Sequence, residues 1–191
     1  MGKSRRYASS LARARPWFKT RDGITLRSRL LRPADAPLLI DFFERLSSET
    51  RRRRFHTDVD RVDDDLIYRR SLEMTNVDNL GQEGAVIATV REEDGQEHIV
   101  GVARLARPAR QPDHPEAEAA ITVRDDFHGR GVGTELLRRM VLLAKQMQVK
   151  TILAVIEADN YPAIKLFREL DLPTETHTSY AETEMRIAVP A

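Results

Sequence analysis

Residues 128–134, with the sequence His-Gly-Arg-Gly-Val-Gly-Thr, are the segment of this chain whose residue types and spacing most directly indicate chemistry. Glycines stand at every second position, and an amphipathic run with helical periodicity follows over residues 132–147. The first N–H groups of a helix have no internal partner, and the helix dipole adds positive potential at the same end. The sequence therefore predicts a phosphate-binding loop.

The spacing of this loop excludes the two commonest nucleotide motifs. A dinucleotide-binding loop requires G-x-G-x-x-G, but the sixth residue is Thr134 when counted from Gly129 and Leu136 when counted from Gly131. A P-loop requires a lysine after its last glycine, whereas Gly133 is followed by Thr134. The loop therefore indicates a phosphate-bearing cofactor that is bound by neither of these two motifs.

Glu118 is the candidate general base. It begins an alternating, strand-like segment and shares a face with Ala120 and Thr122, shortly before the glycine loop. A carboxylate in this position could remove a proton from a bound substrate, directly or through water. A solvated strand glutamate is the alternative interpretation of Glu118, and Glu116, which has the same parity, is the second candidate base.

The composition narrows the chemistry further. The 191 residues include no cysteine, which excludes disulfides, thiolate metal sites and a cysteine-linked acyl-enzyme. The 5 histidines lack metal-ligand spacing, so we expect no metal. We expect a cytoplasmic protein, because the lack of cysteine fits a reducing compartment, and no membrane span, because no apolar run approaches ~20 residues.

Residues 1–21 are basic and contain no acid, although the net charge of the whole chain is only +1. We interpret them as an N-terminal extension that is disordered or loosely docked, ahead of a single domain over residues 22–191. An arm that binds nucleic acid or an acidic partner is the alternative, and a transit peptide has a similar composition. The low net charge gives no reason to expect nucleic-acid binding by the domain itself.

The domain has the predicted element order β-α-α-β-β-β-α-β-α-β. Strands are predicted over residues 24–33, 85–90, 99–105, 118–123, 151–156 and 184–189, with a weak strand near 177–180. Helices are predicted over residues 35–46, 63–72, 132–147 and 160–170. The four consecutive arginines at 51–54 are interpreted as a solvated face, or alternatively as contacts to an acidic substrate.

Two segments together resemble the GNAT superfamily of N-acetyltransferases. Residues 126–137 resemble its acetyl-CoA pyrophosphate motif, [QR]-x-x-G-x-[GA], with His128 in the first position and Gly131 and Gly133 in the glycine positions. Residues 160–170 resemble the later N-x-x-A-x-x-L-Y-x-x-L segment, beginning at Asn160. With the element order, the resemblance covers residues 22–191.

Within this superfamily the chain looks most like the Pat-type protein lysine acetyltransferases. Residues 31–39 and 46–55 resemble the "R-P-x-D … S-x-E-x-x-x-x-R-F" opening of those enzymes. Residues 117–123 resemble their "A-E-x-A-x-x-V" strand, in which the glutamate is the base, here Glu118. The resemblance favours lysine acetylation of a protein.

The resemblance implies an α/β (α+β) GNAT fold: a mixed, mostly antiparallel sheet of six to seven strands flanked by about four helices. It implies acetyl-CoA as co-substrate, acetyl transfer to a primary amine, and Glu118 as general base. Backbone N–H groups at Ile121, Thr122 and Val123 would polarise the acetyl carbonyl, as the bulged fourth strand of that family does. The implied cofactor-binding residues also include His128, Gly129, Arg130, Gly131, Val132, Gly133, Thr134 and Asn160.

Departures from the family pattern keep alternatives open. Phe167 stands where many GNAT enzymes have the tyrosine that protonates the leaving thiolate, which leaves Tyr161 and Tyr180 as other possible donors. His128 replaces the usual Gln or Arg. The same catalyst could acetylate a small amine, such as a polyamine, an antibiotic or an amino acid. A non-catalytic acyl-CoA-binding regulatory protein is the alternative of another class.

Overall fold

The computed structural model describes residues 14–55 and 64–190. Eight strands occur in these ranges: β1 (Trp17–Lys19), β2 (Thr25–Leu30), β3 (Glu83–Arg91), β4 (Glu97–Ala106), β5 (Glu116–Val123), β6 (Thr151–Glu157), β7 (Thr174–Ser179) and β8 (Glu182–Ala188). The described residues form five α-helices: α1 (Ala36–Glu44), α2 (Ser48–Phe55), α3 (Asp64–Thr75), α4 (Val132–Gln146) and α5 (Tyr161–Arg168). None of these helices is long and apolar enough to cross a membrane.

All eight strands form one sheet in the order β1-β2-β3-β4-β5-β6-β8-β7. Neighbouring strands are antiparallel except β5 and β6, which are parallel. β5 pairs with β6 only from Glu116 to Glu118, so the C-terminal halves of the two strands separate. This separation opens the sheet where the glycine loop follows β5.

The two faces of the sheet carry separate cores. On one face, α4 buries Leu136, Leu137 and Met140 completely against the strands, as its apolar stripe predicts. On the other face, Leu39 and Phe42 of α1 are fully buried. The glycine loop is therefore held at one end by β5 and at the other by α4, because any movement of α4 would expose its buried apolar residues.

The mixed, mostly antiparallel α/β sheet confirms the predicted fold class, with one more strand and one more helix than expected. The additional helix is α2, which contains the four arginines. The additional strand is β1, whose residues were assigned to the N-terminal extension. The bulge that the resemblance implies in β5 is absent, because the register between β4 and β5 is continuous from Glu118 to Val123. The shift in register lies between β3 and β4.

The described part of residues 1–21 belongs to the sheet and is not a loose tail. Trp17 pairs with Arg27 across β1 and β2. Arg139 of α4 donates to the carbonyl oxygen of Arg15 at 2.8 Å and stacks on Phe18 at 5.4 Å. These are contacts between segments that are distant in sequence, which explains why the local composition alone suggested an extension. Residues 1–13, which contain the rest of the proposed extension, lie outside the described residues.

Candidate active site

A cleft of about 800 Å³ occupies the gap between β5 and β6. Its walls come from the end of β5, the glycine loop, helices α2 and α5, and the end of β6. Of the residues predicted from sequence to form the site, the cleft is lined by Glu118, Ile121, Thr122, Val123, His128, Gly129, Gly131, Val132, Gly133, Thr134 and Asn160. Tertiary structure thus brings together residues from three separate segments.

The glycine loop has the geometry of an anion cradle. Gly129 and Gly131 have φ angles of +69° and +87°, a conformation that residues with a Cβ rarely adopt. Glu135 is the first residue here whose N–H is satisfied, by Gly131 O at 3.2 Å. Within the described residues, the N–H groups of 129–134 have no protein acceptor. Such a row of unsatisfied donors at a helix N-terminus fits a phosphate.

Gly133 has a different structural role from the other two glycines. A Cβ at this position would lie 2.9 Å from Leu166 Cδ2 of α5. Glycine therefore allows the first turn of α4 to pack closely against α5, and a larger side chain would push the two cleft walls apart. The sequence motif predicted a glycine here for the phosphate, and the structure gives it a packing reason as well.

Three predicted polar residues of the site already have protein partners. His128 Nε2 donates to Val123 O at 2.7 Å, which joins the loop to the end of β5. Asn160 Oδ1 accepts from Ala163 N at 3.3 Å and so caps α5. Thr134 Oγ1 donates to Glu169 at 3.4 Å. The three residues shape the cleft through these bonds, whatever contacts they make to a ligand.

Arg130 is directed away from the cleft. Its guanidinium forms an ion pair with Asp22 at 3.0 Å and stacks on the Phe127 ring at 5.3 Å. Arg21 lines the cleft beside the loop. Arg130, one of the predicted cofactor-binding residues, is not among the residues that line the cleft. Arg21 comes from the hairpin between β1 and β2, so nothing in the loop sequence indicated it.

The edge of β5 presents backbone groups to the cleft. Arg124 N donates to Val100 O at 2.9 Å, and the register pairs Thr122 with Val102. Because backbone N–H groups alternate in direction along an antiparallel strand, Thr122 faces β4, while Ile121 and Val123 face the separated edge. Two of the three predicted backbone amides therefore face the cleft, and Thr122 lines it with its side chain only.

Glu118 is exposed and lies on the cleft wall, on the face of β5 that it shares with Ala120 and Thr122. Arg54 of α2 also lines the cleft. Burial lowers the pKa of its guanidinium, and the negative charge of the nearby Glu118 acts in the opposite direction. Glu116, the second candidate base, forms an ion pair with Arg186 of β8 and is not among the residues that line the cleft.

Helix α2 covers the separated strands and is held at its start. Asp125, just after β5, accepts hydrogen bonds from the Ser47 hydroxyl at 2.6 Å, the Ser47 N–H at 2.9 Å and the Thr50 hydroxyl at 2.7 Å. Burial acts to raise the pKa of Asp125, but these hydrogen bonds hold it below its usual value. No local pattern indicated this contact, because its partners are far apart in the chain.

The arginines of α2 hold the C-terminal end of this helix. Arg52 and Arg53 both bind Glu157, at the end of β6, at 3.1 Å. They also bind Glu49 on the same helix, and these bonds lower the pKa of Glu49 to about 2. Arg51 donates to the carbonyl oxygens that end α1. The expectation of a solvated arginine face is wrong: the side chains form internal bonds that hold α2 over the cleft.

The residue that replaces the expected tyrosine is part of the core. Phe167 is 3% exposed and contributes to the floor of the cleft. It has no proton to donate. Tyr161 and Tyr180 are highly exposed, and neither is among the residues that line the cleft. The structure therefore brings no tyrosine hydroxyl to this site within the described residues.

Comparisons with known proteins agree with this geometry. A family model described as acetyltransferase (GNAT) domain matches residues 25–172. Acetyltransferase PA5475 of Pseudomonas aeruginosa is 29% identical over 139 residues, which are 73% of this chain and 70% of that protein. The chain belongs to the GNAT acetyltransferase family.

Solved structures share the fold. The GNAT domain of S. lividans PAT has a TM-score of 0.75 at 24% identity, over 90% of this chain and 95% of that one. The structure of yncA from Salmonella typhimurium with its cofactor acetyl-CoA has a TM-score of 0.62 at 17% identity, over 87% and 95% of the two chains.

The protein is thus an acyltransferase that uses acetyl-CoA. The residues of the cleft fit acetyl-CoA. The unsatisfied N–H groups of residues 129–134 suit its pyrophosphate. The cleft volume of about 800 Å³ lies within the range of small-molecule sites.

Proposed function

We propose that this acetyltransferase acetylates the side-chain amine of lysine in a protein, with Glu118 as the general base. The observation that carries the proposal is the position of Glu118, which lies on the wall of the same cleft as the glycine loop. Its carboxylate is exposed, so that the end of a lysine side chain can reach it from solvent. The resemblance of residues 31–39, 46–55 and 117–123 to the Pat-type protein lysine acetyltransferases supports a protein acceptor.

The proposed chemistry needs three functions from the chain. Glu118 accepts a proton from the ammonium group, directly or through one water, which frees the lone pair of the nitrogen. The N–H groups of Ile121 and Val123, on the separated edge of β5, donate to the acetyl carbonyl oxygen as negative charge develops on it. The glycine loop holds the pyrophosphate.

Acetyl-CoA supplies the activated acetyl group, and the transfer forms an N–C bond as the C–S bond breaks. The thiolate takes up a proton from solvent. With no cysteine in the chain, no acyl-cysteine intermediate forms.

The substitution Glu118→Gln tests the role of the base. General base catalysis contributes about 10²- to 10⁴-fold, so we expect a loss of kcat of that size with an unchanged Kd for acetyl-CoA. Glu116→Gln is the matched control: the same change on the same strand, outside the cleft, which should leave turnover nearly normal. Thiol release gives the rate and calorimetry gives the Kd. A near-normal rate for Glu118→Gln at saturating acceptor would remove Glu118 as base.

The acceptor class requires a separate experiment. Thiol release is measured with a lysine-containing protein or peptide, with the same peptide after lysine dimethylation, and with a panel of free polyamines, amino acids and aminoglycosides. Turnover with unmodified peptide alone supports the proposal. Turnover with a free amine alone favours a small-molecule acetyltransferase, and binding of acetyl-CoA without turnover on any amine favours a regulatory protein.

A further inference from the structure

We propose that Arg21, from the hairpin between β1 and β2, supplies the positive charge that binds the pyrophosphate of acetyl-CoA. The proposal rests on the assignment of the glycine loop as the acetyl-CoA site. Two hydrogen bonds place Arg21 beside the glycine loop. Arg21 N donates to Arg130 O at 2.9 Å, and Arg21 Nη1 donates to Gly129 O at 3.2 Å. The hairpin is therefore joined to the glycine loop by hydrogen bonds to two of its carbonyl oxygens.

The guanidinium of Arg21 lies directly over the central glycine. A Cβ added at Gly131 would lie 3.6 Å from Arg21 Cγ and 3.7 Å from Arg21 Nε. The side chain is exposed and lines the cleft. A guanidinium has five N–H donors, and the bond to Gly129 O uses one of them. The remaining donors form the fork that matches a phosphate.

The two basic residues of the loop itself are engaged elsewhere. Arg130 forms an ion pair with Asp22 and stacks on Phe127. His128, at the position where the motif has Gln or Arg, donates its Nε2 hydrogen to Val123 O. The hairpin thus places the Arg21 guanidinium in the cleft beside the glycine loop, whereas the two basic side chains of the loop itself bind other protein groups.

The ligand series identifies the group that Arg21 binds. Kd values are measured by calorimetry for acetyl-CoA, for its 3′-dephospho form and for S-acetylpantetheine, which lacks the pyrophosphate. Arg21→Met should raise the Kd of acetyl-CoA about fivefold, the loss expected for one exposed charge-assisted contact. The dephospho form should show the same loss. S-acetylpantetheine should show none.

Matched variants separate charge from structure. Arg21→Met keeps the aliphatic stem over Gly131, and Arg21→Lys should recover part of the affinity. Lys19→Ala removes the same charge from the same hairpin, two residues away in sequence, and should leave all three Kd values unchanged. The loss caused by Arg21→Met should shrink as salt concentration rises.

Two results would overturn the inference. A normal Kd for Arg21→Met would remove Arg21 from the site, while a loss confined to acetyl-CoA and absent for its dephospho form would assign it to the 3′-phosphate. Failure of the wild-type protein to bind acetyl-CoA would instead refute the assignment of the glycine loop itself, so the two failures are distinguishable.

Discussion

Replacing Gly131 by alanine tests whether the backbone conformation of the glycine loop produces cofactor affinity. Gly131 has φ +87° and ψ 1°, and it precedes the first turn of α4. An added Cβ would meet Arg21 atoms at no less than 3.6 Å, which is ordinary contact. The perturbation is therefore conformational strain and not a clash. An L-residue in the left-handed region costs about 1–2 kcal/mol.

This strain affects binding and folding differently. The loop of the variant can relax in the free protein by turning the peptide groups that present the N–H donors, and the bound state must restore the strained conformation. Binding thus loses up to the full 1–2 kcal/mol, which raises the Kd about 5- to 30-fold. Folding loses less, on the order of 1 kcal/mol, because alanine also restricts the unfolded chain.

Gly95→Ala is the matched control. Gly95 has φ +75° in the turn between β3 and β4, with nothing within 4 Å of an added Cβ. Both variants should lower the Tm by about 2–4 °C, and only Gly131→Ala should weaken acetyl-CoA in calorimetry. If Gly131→Ala bound acetyl-CoA with the wild-type Kd, or if Gly95→Ala weakened it equally, the left-handed conformation of the loop would not be the source of affinity.

Two further predictions concern buried polar groups. His98 lies 2.8 Å from both Asp41 and Asp94, and the hydrogen bond to Asp41 raises its pKa above 6.5 despite burial, which lowers it. The stabilisation by the charged imidazole is fully present below pH 6.5 and is lost as the pH rises through the raised pKa. His98→Gln should therefore lower the free energy of unfolding in urea more at about pH 5.5 than at about pH 9. Equal losses at the two pH values would contradict a charged imidazole. Thr122 is 6% exposed, and its hydroxyl has no hydrogen-bond partner among the described residues. Thr122→Val should therefore stabilise the fold by about 1 kcal/mol, seen as a higher Tm, and a lower Tm would mean that the hydroxyl is satisfied.

Local patterns in the sequence predicted most of the elements and the loop. The apolar stripe of α4 and the alternating glycines are properties of neighbouring residues, and helix periodicity and left-handed φ angles act over a few positions. The segments that local patterns missed are β1 and α2. β1 is only three residues long and is held by its pairing with β2 and by Arg139. α2 is strongly polar and is held by Asp125 and Glu157, so its stability comes from tertiary contacts.

The donor chemistry of this protein follows from local sequence: three glycines before an amphipathic helix, with Glu118 and Asn160 in flanking segments. Which of these groups face the cleft depends on tertiary contacts. The separation of β5 from β6 exposes the N–H groups of Ile121 and Val123, whereas the N–H group of Thr122 faces β4. The hairpin brings Arg21 to the loop while Asp22 holds Arg130 away. A sequence specifies each donor, but its direction depends on partners that only the folded chain brings within hydrogen-bonding distance.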